Sequence, residues 1–353
     1  MADRSLVVVN YRSASLCGDA VASARASSSE PLEVIVVDNS CDRAEAEALE
    51  GIGADRLIAA PLNLGYAAGA NAGIRAASGT KLVVSNPDVV FGERCIDELV
   101  TTLGGRVALS GPRFSWDAGG QWLLPPATVM TFRSEFSRSI ASWSGALSVS
   151  RAHALFFERV EFWKASSPTR VAAVSGAVMA IERDAWQRVG GFDERYRLYY
   201  EEIDFMRALA RERYEVRYVP AARCFHLYDQ SAASESEHQL KFAESQALYM
   251  AKWHRRLSVL PRLLERGRRL APPPAVTLSP SAVLAVPAPA DAYVVEASPL
   301  ASFDTAAGHF PRAAGISLPE ESWARFHGAA LYLRVVEAGT GREISRGMLL
   351  KSK

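Results

Sequence analysis

The chain has 353 residues, of which 49% are hydrophobic and 22% charged, and its formal net charge is +1. This length is sufficient for about two domains, and the near-neutral charge argues against a nucleic-acid-binding protein. The four cysteines are far apart and form no CxxC motif, which favours reduced thiols over a disulfide framework or a zinc site. The first apolar run begins at residue 6, too early to follow a signal peptide, and no run reaches the length of about 18 residues that spans a membrane. We therefore expect a protein that is soluble or at most lies on a membrane surface.

The first hundred residues alternate strand-like and helical patterns. Near-continuous Val, Ile and Leu runs between helices are typical of a parallel sheet covered on both faces. In chain order, the pattern predicts strands at 6–9, 32–37, 56–60 and 81–84, alternating with helices at 16–26, 43–49 and 69–77. Polar residues follow three of these strands, at 10–11, 38–40 and 86–88. Because ligands of open α/β sheets bind at the carboxyl ends of the strands, we expect these residues to converge on a binding site.

The remainder of the chain consists of several segments that differ in periodicity and composition. Residues 104–170 show no sustained periodicity, and we interpret them as loops and short elements over a cleft. The pattern then predicts a buried strand at 171–181, helices at 183–189 and 201–211, a strand at 216–219 that ends before Pro220, and a helix at 235–260. A strongly basic stretch covers 252–269, and the prolines at 272–274 indicate a boundary. Beyond it, short β-type runs predict a small β-rich region, with strands at 282–286, 292–295 and 330–336.

Three carboxylates stand within four positions, at Glu201, Glu202 and Asp204, directly after a run of aromatic and aliphatic residues. Acids crowded beside apolar surface have perturbed pKa values, as a general base requires. Acids in the first turn of a helix are also favoured by the helix dipole, without any catalytic role. The cluster therefore predicts either a catalytic base or a capped helix. In the catalytic interpretation Asp204 is a supporting residue that is free to pair with Arg207, one turn further on.

Three further segments have the composition of a nucleotide site. Asp38 ends a core strand, where it could accept hydrogen bonds from a base imide or a ribose hydroxyl, or simply form an Asx turn. Residues 63–73 are rich in glycine and asparagine and lead into a helix, which suits a close approach of backbone N–H groups to phosphates. They match neither GxGxxG nor GK[ST], so a dinucleotide site and a P-loop are disfavoured. The turn at 86–88 offers oxygens that can hold a divalent cation against a diphosphate.

Together these segments resemble the inverting glycosyltransferases of family 2, which have the GT-A fold, and especially their rhamnosyltransferase-like branch. The resemblance covers about residues 5–250 and rests on eight motifs in order: Val-Val-Asn-Tyr at 8–11, Val-Val-Asp-Asn-Ser at 36–40, Asn-Leu-Gly-Tyr-Ala-Ala-Gly-Ala-Asn-Ala-Gly at 63–73, Ser-Asn-Pro-Asp at 85–88, Ser-Gly-Ala-Val-Met-Ala-Ile at 175–181, Gly-Gly-Phe-Asp-Glu at 190–194, Tyr-Glu-Glu-Ile-Asp at 200–204 and Val-Pro-Ala-Ala-Arg-Cys-Phe-His at 219–226. It implies an α/β fold of GT-A type, with a mostly parallel sheet, flanking helices and a small C-terminal β-rich appendage. We accordingly expect a glycosyltransferase domain at 1–250, a basic helix and Pro-rich linker at 251–274, and a β-rich domain of unknown role at 275–353.

The resemblance also implies roles by position. The residues that would hold the nucleotide sugar are Asn10, Tyr11, Asp38, Asn39, Asn63, Gly65, Asn71, Asn86 and Asp88. The family has an Asp-X-Asp metal motif where this chain has Asn86-Pro87-Asp88, so the divalent ion, Mg²⁺ or Mn²⁺, is expected at Asp88 and His226. Glu202 matches the family's base, usually an Asp, and Glu201 is a potential substitute. The residues expected to shape the acceptor side are Gly176, Asp193 and Glu194.

The implied activity is a metal-dependent, inverting hexosyl transfer in cell-surface polysaccharide synthesis. The favoured donor is dTDP-L-rhamnose, and the acceptor is a hydroxyl of a glycan or a polyprenyl-linked molecule. Two alternatives stay open: a nucleotidyltransferase, although the first strand is not followed by its glycine-rich basic signature, and a catalytically degenerate GT-A module with a binding or scaffold role.

The resemblance also suggests where the protein acts and with which partners. We expect a cytoplasmic bacterial protein without a nucleic-acid partner, with the C-terminal domain available for oligomerisation. The basic stretch is either a solvated helix face or a peripheral contact with the inner face of the membrane, though Pro261 and Gly267 interrupt the helix.

Overall fold

The computed structural model describes residues 3–127, 131–141, 144–226, 235–254, 275–279 and 282–351. Its strands are β1 (Arg4–Asn10), β2 (Leu32–Asp38), β3 (Arg56–Ala59), β4 (Lys81–Ser85), β5 (Val89–Phe91), β6 (Val107–Ser115), β7 (Thr169–Val171), β8 (Val178–Glu182), β9 (Glu215–His226), β10 (Val276–Leu278), β11 (Leu284–Ala285), β12 (Tyr293–Ser298), β13 (Ala307–His309), β14 (Gly315–Ile316), β15 (Ala330–Glu337) and β16 (Glu343–Leu350). Its helices are α1 (Ala14–Ala26), α2 (Arg43–Leu49), α3 (Tyr66–Ala76), α4 (Cys95–Thr102), α5 (Phe132–Ala141), α6 (Gly145–Lys164), α7 (Arg183–Val189), α8 (Glu201–Arg211), α9 (Glu235–Trp253) and α10 (Glu320–Arg325).

The N-terminal half of the main sheet is parallel, as predicted, with the strand order β3-β2-β1-β4. Alternate residues of β1 face opposite layers: Leu6 and Val8 pack with α1, and Val7 and Val9 pack with α3. Both faces are therefore buried, which explains why these strands are apolar throughout. A Cβ atom on Gly73 of α3 would lie 2.3 Å from Val7 Cγ1, so glycine is what allows this helix to approach the sheet so closely.

The C-terminal half of the main sheet is mixed, whereas the sequence predicted a mostly parallel sheet. The full strand order is β3-β2-β1-β4-β8-β6-β9-β5, with β7 also paired to β9. Strand β8 runs antiparallel to both β4 and β6, and β5 and β7 run antiparallel to β9. The sequence pattern did not reveal these antiparallel strands, because a strand buried on both faces has the same apolar composition in either direction. One consequence is that Ala177, just before β8, accepts a backbone hydrogen bond from Asn86, just after β4, at 2.9 Å.

Two predicted strands in this half have different bounds. The predicted strand at 171–181 is interrupted, because β7 ends at Val171, β8 begins at Val178, and Gly176 lies in a turn between them. The predicted end before Pro220 is also wrong, since β9 continues to His226. At this point the register against β6 jumps from Val219 to Arg223. Pro220 therefore falls in a bulge, where its missing N–H costs no ladder hydrogen bond.

The interpretation of residues 104–170 as loops and short elements was wrong. In the part that the structure describes, they include β6, α5 and the 20-residue helix α6. The buried side chains of α6 are Phe156, Arg159, Val160 and Trp163. Arg159 Nε donates to Glu296 Oε1 of β12 at 2.8 Å. A buried stripe that contains an arginine does not give a hydrophobic period, so the sequence pattern did not indicate this helix.

The C-terminal residues form a β-rich region, as predicted, with a five-stranded sheet in the order β10-β16-β15-β12-β13 and a separate β11–β14 pair. The sheet shares its core with the segment that follows β6, because Trp116 and Trp122 belong to the same buried cluster as Leu333. Leu123 and Gly308 also exchange two backbone hydrogen bonds of 2.8 Å. Helix α6 packs on the other face, against Val294 and Val336.

The basic stretch at 252–269 is described only as far as residue 254, so our interpretation of its arginines concerns residues outside the described part of the chain. The predicted helix at 235–260 corresponds to α9, which ends at Trp253. No helix within the described ranges combines the length and the apolar character needed to cross a membrane.

Candidate active site

The polar strand ends meet at one edge of the main sheet, around a cavity of about 240 Å³. The residues that line it are Val9, Tyr11, Ser13, Asn39, Asn63, Gly65, Tyr66, Asn86, Pro87, Asp88, Arg197, Leu198 and Lys241. Of the residues expected to hold a nucleotide sugar, those on this wall are Tyr11, Asn39, Asn63, Gly65, Asn86 and Asp88. Asn10, Asp38 and Asn71 are not among the lining residues. The structure thus brings together residues from four separate segments of the N-terminal half.

Asn10 and Asp38 are buried at the ends of β1 and β2. Asn10 Nδ2 donates to Asp38 Oδ1 at 3.3 Å and to Glu45 Oε1 at 2.9 Å. Both the backbone N–H and the hydroxyl of Ser40 donate to Asp38, each at 2.9 Å. Asp38 therefore forms the Asx turn that was one of its two interpretations. This turn holds Asn39, the next residue, at the cavity wall.

The Asn63–Gly65 turn sets the start of α3. Asn63 Oδ1 accepts from the backbone N–H of Gly65 at 2.9 Å. Gly65 has a φ of +82°, and a Cβ atom there would lie 2.7 Å from the carbonyl oxygen of Arg197. The backbone N–H of Tyr66 donates to that same oxygen at 3.0 Å. Glycine is required at this position both for the backbone angle and for the close contact with residue 197.

Asn71 and Glu194 are in contact with each other, and neither is among the described residues that line the cavity. Asn71 Nδ2 donates to the carbonyl of Phe192 at 2.8 Å and to Glu194 Oε1 at 3.0 Å. Asn71 Oδ1 accepts from the backbone N–H of Phe192 at 3.0 Å and from Trp186 Nε1 at 3.2 Å. These four hydrogen bonds use the full capacity of the amide. Asn71 therefore ties α3 to the Gly-Gly-Phe-Asp-Glu turn.

Strand pairing brings Asp88 and His226 together. Val89 is opposite His226 in the register of β5 and β9, so the residue before β5 stands beside the last residue of β9. Asp88 Oδ1 lies 3.2 Å from His226 Nε2, and this buried oxygen makes no hydrogen bond of good geometry. Carboxylate oxygen and imidazole nitrogen are both ligands of divalent transition metals. Within the described residues no group of three or more His, Cys, Asp and Glu could hold a metal, so an ion at Asp88 and His226 would also need ligands from substrate or water.

Glu201 and Glu202 begin α8 after a strained turn. Tyr199 and Tyr200 have φ angles of +69° and +71°, a conformation that costs on the order of 1 kcal/mol or more for each non-glycine residue. Such strain persists only where surrounding contacts impose it, and it is concentrated at functional sites. Oε2 of each glutamate is buried without a hydrogen-bond partner. Gly176 packs directly against the Glu202 side chain, because a Cβ atom added at Gly176 would lie 3.0 Å from Glu202 Cγ.

Burial determines the protonation of this pair. Desolvation, and then the neighbouring Glu202 carboxylate, raise the pKa of Glu201 well above its usual value. Burial likewise raises the pKa of Glu202. Two acids in one low-dielectric site do not ionise independently, so the pair retains protons at a pH where exposed carboxylates have lost them. Helix capping by itself does not explain the two buried Oε2 atoms without a hydrogen-bond partner, and carboxyl groups with raised pKa values are concentrated at functional sites.

Asp204, the third acid of the cluster, has a different environment. It accepts hydrogen bonds from the Tyr196 hydroxyl at 3.2 Å, from Lys252 Nζ at 2.8 Å and from Trp253 Nε1 at 2.6 Å. Lys252 and Trp253 belong to α9, which is distant in sequence. Lys252 also donates to Asp193 at 2.8 Å, and the hydrogen bonds from Arg195 and Lys252 hold the pKa of Asp193 well below its usual range. Asp193 and Asp204 thus share one lysine that ties α9 to α8.

The predicted pair between Asp204 and Arg207 was wrong. Arg207 Nη1 instead donates to the Tyr249 hydroxyl at 3.0 Å and lies 2.7 Å from His254 Nε2. Its guanidinium also stacks over the Trp253 ring, 4.7 Å from the ring centroid. A pairing rule based on spacing within α8 could not anticipate these partners, because all of them come from α9 and the residue after it.

Tyr66 is a site residue that the sequence prediction did not single out. Its hydroxyl donates to the carbonyl of Gly176 at 3.1 Å, and its side chain lines the cavity. Burial raises the pKa of Tyr66 well above its usual value, and the charges of Glu201, Glu202 and Asp88 raise it further. Tyr66 therefore lies near both the cavity and the acids of α8. The feature of the sequence that could have indicated Tyr66 is its position, because it is an aromatic residue directly after Gly65. Arg197 and Lys241, which bring positive charge to the cavity wall, had no such signal.

Comparison with known proteins identifies the family of this chain and several similar proteins. The family model described as "Glycosyltransferase like family 2" matches residues 2–252. An N-acetylglucosaminyl-diphospho-decaprenol L-rhamnosyltransferase of Mycobacterium tuberculosis is 26% identical over 259 residues, which cover 66% of this chain and 79% of the relative. Among solved structures, mannosyltransferase PcManGT from Pyrobaculum calidifontis, in complex with GDP-Man and Mn²⁺, has a TM-score of 0.48 at 16% identity and covers 76% of this chain and 66% of that one. GalNAc-T7 with UDP, GalNAc and Mn²⁺ has a TM-score of 0.49 at 14% identity, with 72% of this chain and 48% of that chain covered.

The main sheet, with a cavity at the polar ends of its strands, has the predicted GT-A-type fold, and a C-terminal sheet is added to it. The chain belongs to the Glycosyltransferase like family 2, as the ordered motifs indicated, because the family model covers most of its length. The match ends at residue 252, so the C-terminal sheet lies beyond it.

Proposed function

We propose that this chain is an inverting hexosyltransferase that moves L-rhamnose from dTDP-L-rhamnose to a hydroxyl of a glycan or polyprenyl-linked acceptor in cell-surface polysaccharide synthesis. The observation that carries the proposal is the pair of buried, unpartnered carboxylate oxygens of Glu201 and Glu202, close to Tyr66 on the cavity wall. The rhamnosyltransferase relative supports the donor sugar and a lipid-linked acceptor. The proposed site of action is the cytoplasmic face of the membrane.

Glu202 is the proposed base. Its position matches that of the family's base, and the residue as a whole is less buried than Glu201, which is 5% exposed. Its carboxylate accepts the hydroxyl proton as the acceptor oxygen forms a bond to the anomeric carbon. The bond from that carbon to the nucleoside diphosphate breaks, and the diphosphate leaves with the electron pair. One base and one in-line displacement invert the anomeric configuration without a covalent sugar–enzyme intermediate.

A divalent ion fits the residues present, because Asp88 and His226 offer two suitable donor atoms and Asp88 Oδ1 is buried without a hydrogen bond. We propose that these two residues hold Mg²⁺ or Mn²⁺. When bound, the ion would offset the negative charge that develops on the leaving diphosphate. The nucleoside would occupy the part of the cavity formed by Tyr11, Asn39 and Asn63.

The nucleotide assignment is tested by thermal unfolding in the presence of dTDP, UDP or GDP, each with and without Mn²⁺ or Mg²⁺. A ligand that binds the folded state raises the midpoint by mass action. We expect dTDP with metal to give the largest increase, and this metal-dependent increase to disappear in Asp88→Asn. If the midpoint rises with UDP or with GDP but not with dTDP, dTDP-L-rhamnose is not the donor, and the donor is a sugar attached to the nucleotide that binds. No increase with any of the three would favour the degenerate module.

A further inference from the structure

One face of α9 lies along the active site. Lys241, Ser245, Tyr249 and Trp253 recur at four-residue intervals, which places them on one side of the helix. Each contacts the site at a different point: Lys241 lines the cavity, Ser245 Oγ donates to the carbonyl of Leu198 at 2.8 Å, the Tyr249 ring centroid is 5.4 Å from that of Tyr200, and Trp253 Nε1 donates to Asp204 at 2.6 Å. We call these four residues the α9 stripe.

The α9 stripe contacts residues on both sides of Glu201 and Glu202 in the sequence. Leu198 and Tyr200 come just before Glu201, and Asp204 follows Glu202 by two residues. Within this segment lie Tyr199 and Tyr200, two consecutive non-glycine residues with positive φ. Phe242 of the same helix adds a ring contact to each of them, with centroids 5.7 Å from Tyr199 and 5.3 Å from Tyr200. Strained backbone needs such external contacts to persist.

We propose that the α9 stripe is the positioning element of this active site. Ser245, Tyr249 and Trp253 hold residues 198–204 in the conformation that presents Glu202 to the acceptor. Lys241, at the N-terminal end of the stripe, contacts the diphosphate of the donor. The inference rests on the proposed function of Glu202 as the base, and it adds a role for a helix to which the sequence analysis assigned none.

The charge of Lys241 supports its part of the proposal. Among the described residues that line the cavity, the acidic side chain is Asp88 and the cationic ones are Arg197 and Lys241. A nucleoside diphosphate carries negative charge that needs compensation, and a lysine on the wall of a partly enclosed cavity supplies it as a point charge. Because Lys241 and Ser245 are one helical turn apart, the residue that contacts the donor and the residues that hold the base belong to one rigid element.

The test separates positioning from binding through kcat and KM. We expect Ser245→Ala and Trp253→Phe to lower kcat for hydrolysis of dTDP-L-rhamnose on the order of ten- to a hundredfold, because small displacements of a catalytic group have large effects. The donor KM should stay within about twofold of wild type in both. Lys241→Ala should show the reverse pattern, with a raised donor KM. Ser245→Thr keeps the hydroxyl and should restore most of the lost kcat.

Leu240→Ala is the matched control, since Leu240 lies on the same helix and is 62% exposed. It should leave kcat and KM unchanged. Tyr249→Phe keeps the ring against Tyr200 and should remain active, whereas Tyr249→Ala should lose kcat. Thermal unfolding of each variant shows that it is folded. Wild-type kcat in both Ser245→Ala and Trp253→Phe, or a loss in these variants that appears only in the donor KM, would overturn the proposal.

Hydrogen exchange distinguishes failure of this inference from failure of the proposed function. Exchange of the backbone amides at 198–204 should be faster in Ser245→Ala than in wild type or Leu240→Ala, whether or not the protein turns over this donor. If the wild-type protein does not turn over this donor but the variants show this exchange pattern, the proposed function is contradicted. The α9 stripe is then still supported as the positioning element of residues 198–204. If exchange at 198–204 is the same in Ser245→Ala as in wild type, the α9 stripe does not hold this segment and the inference is contradicted.

Discussion

The acids at the start of α8 fall into two groups with opposite environments. Glu201 and Glu202 each keep a buried Oε2 atom that accepts no hydrogen bond, whereas Asp204 accepts hydrogen bonds from three donors. A buried carboxylate oxygen without a hydrogen-bond partner costs free energy, and such groups are concentrated at functional sites. A saturated carboxylate stabilises the structure around it. Glu202 and Asp204 are only two residues apart, and what distinguishes them is the set of hydrogen-bond partners of their carboxylates.

The largest effect expected from this comparison is on catalysis by Glu202→Gln. The amide cannot take a proton from the acceptor, so we expect transfer to fall by about 10²- to 10⁴-fold. Nucleotide binding, measured by the shift in unfolding temperature with dTDP and metal, should be retained. Glu201→Gln is the matched control and should keep more activity. Normal turnover in Glu202→Gln would exclude Glu202 as the base.

The next largest effect is on stability, in Asp204→Asn. The change removes the charge that Lys252 and Trp253 contact, and hydrogen bonds to a buried charged group contribute about 1.5–3 kcal/mol. We expect the free energy of unfolding in urea to decrease by about that amount. Asp204 then behaves as a structural acid, in contrast to Glu202. A variant as stable as wild type would show that the Lys252 and Trp253 contacts contribute little.

Asn71→Ala tests a second distinction, between residues that line the cavity and residues that support it. The side chain of Asn71 makes four hydrogen bonds within the protein, so truncation should lower the free energy of unfolding by about 1–3 kcal/mol. The donor KM should change little, whereas Asn63→Ala on the cavity wall should raise it. A raised donor KM in Asn71→Ala, without loss of stability, would instead support the sequence-based expectation that Asn71 binds the nucleotide sugar.

The smallest expected effect is on the pH dependence of stability. Because burial raises the pKa of Glu202 above its usual 4.5, the folded state binds this proton more tightly than the unfolded state does. Stability from this group is therefore complete below pH 4.5 and is lost as the pH rises through the raised value. Glu202→Gln has no such proton, so its unfolding temperature should fall less than that of wild type between acidic and neutral pH. Parallel curves for the two proteins would mean that Glu202 has an ordinary pKa.

Local patterns were sufficient for much of the N-terminal half. The strands β1, β2 and β4 were predicted from their apolar runs, and helices α7 and α8 were predicted with the bounds that the structure shows. These elements are recognisable because their burial is uniform or their period is regular. Helix α6 was not predicted, because its buried stripe includes Arg159, whose partner Glu296 lies in the C-terminal sheet.

The site divides in the same way. The acidic cluster, the polar strand ends and the glycine-rich turn are each contiguous in the chain, so their residue types suggested a nucleotide site, and the order of their motifs indicated the family by resemblance. The contact between Asp88 and His226 depends on the pairing of β5 with β9. The strained turn before Glu201 depends on contacts from α9. Chemistry carried by neighbouring residues can be predicted from order and spacing, whereas burial, pKa and hydrogen-bond saturation arise only when distant segments pack together.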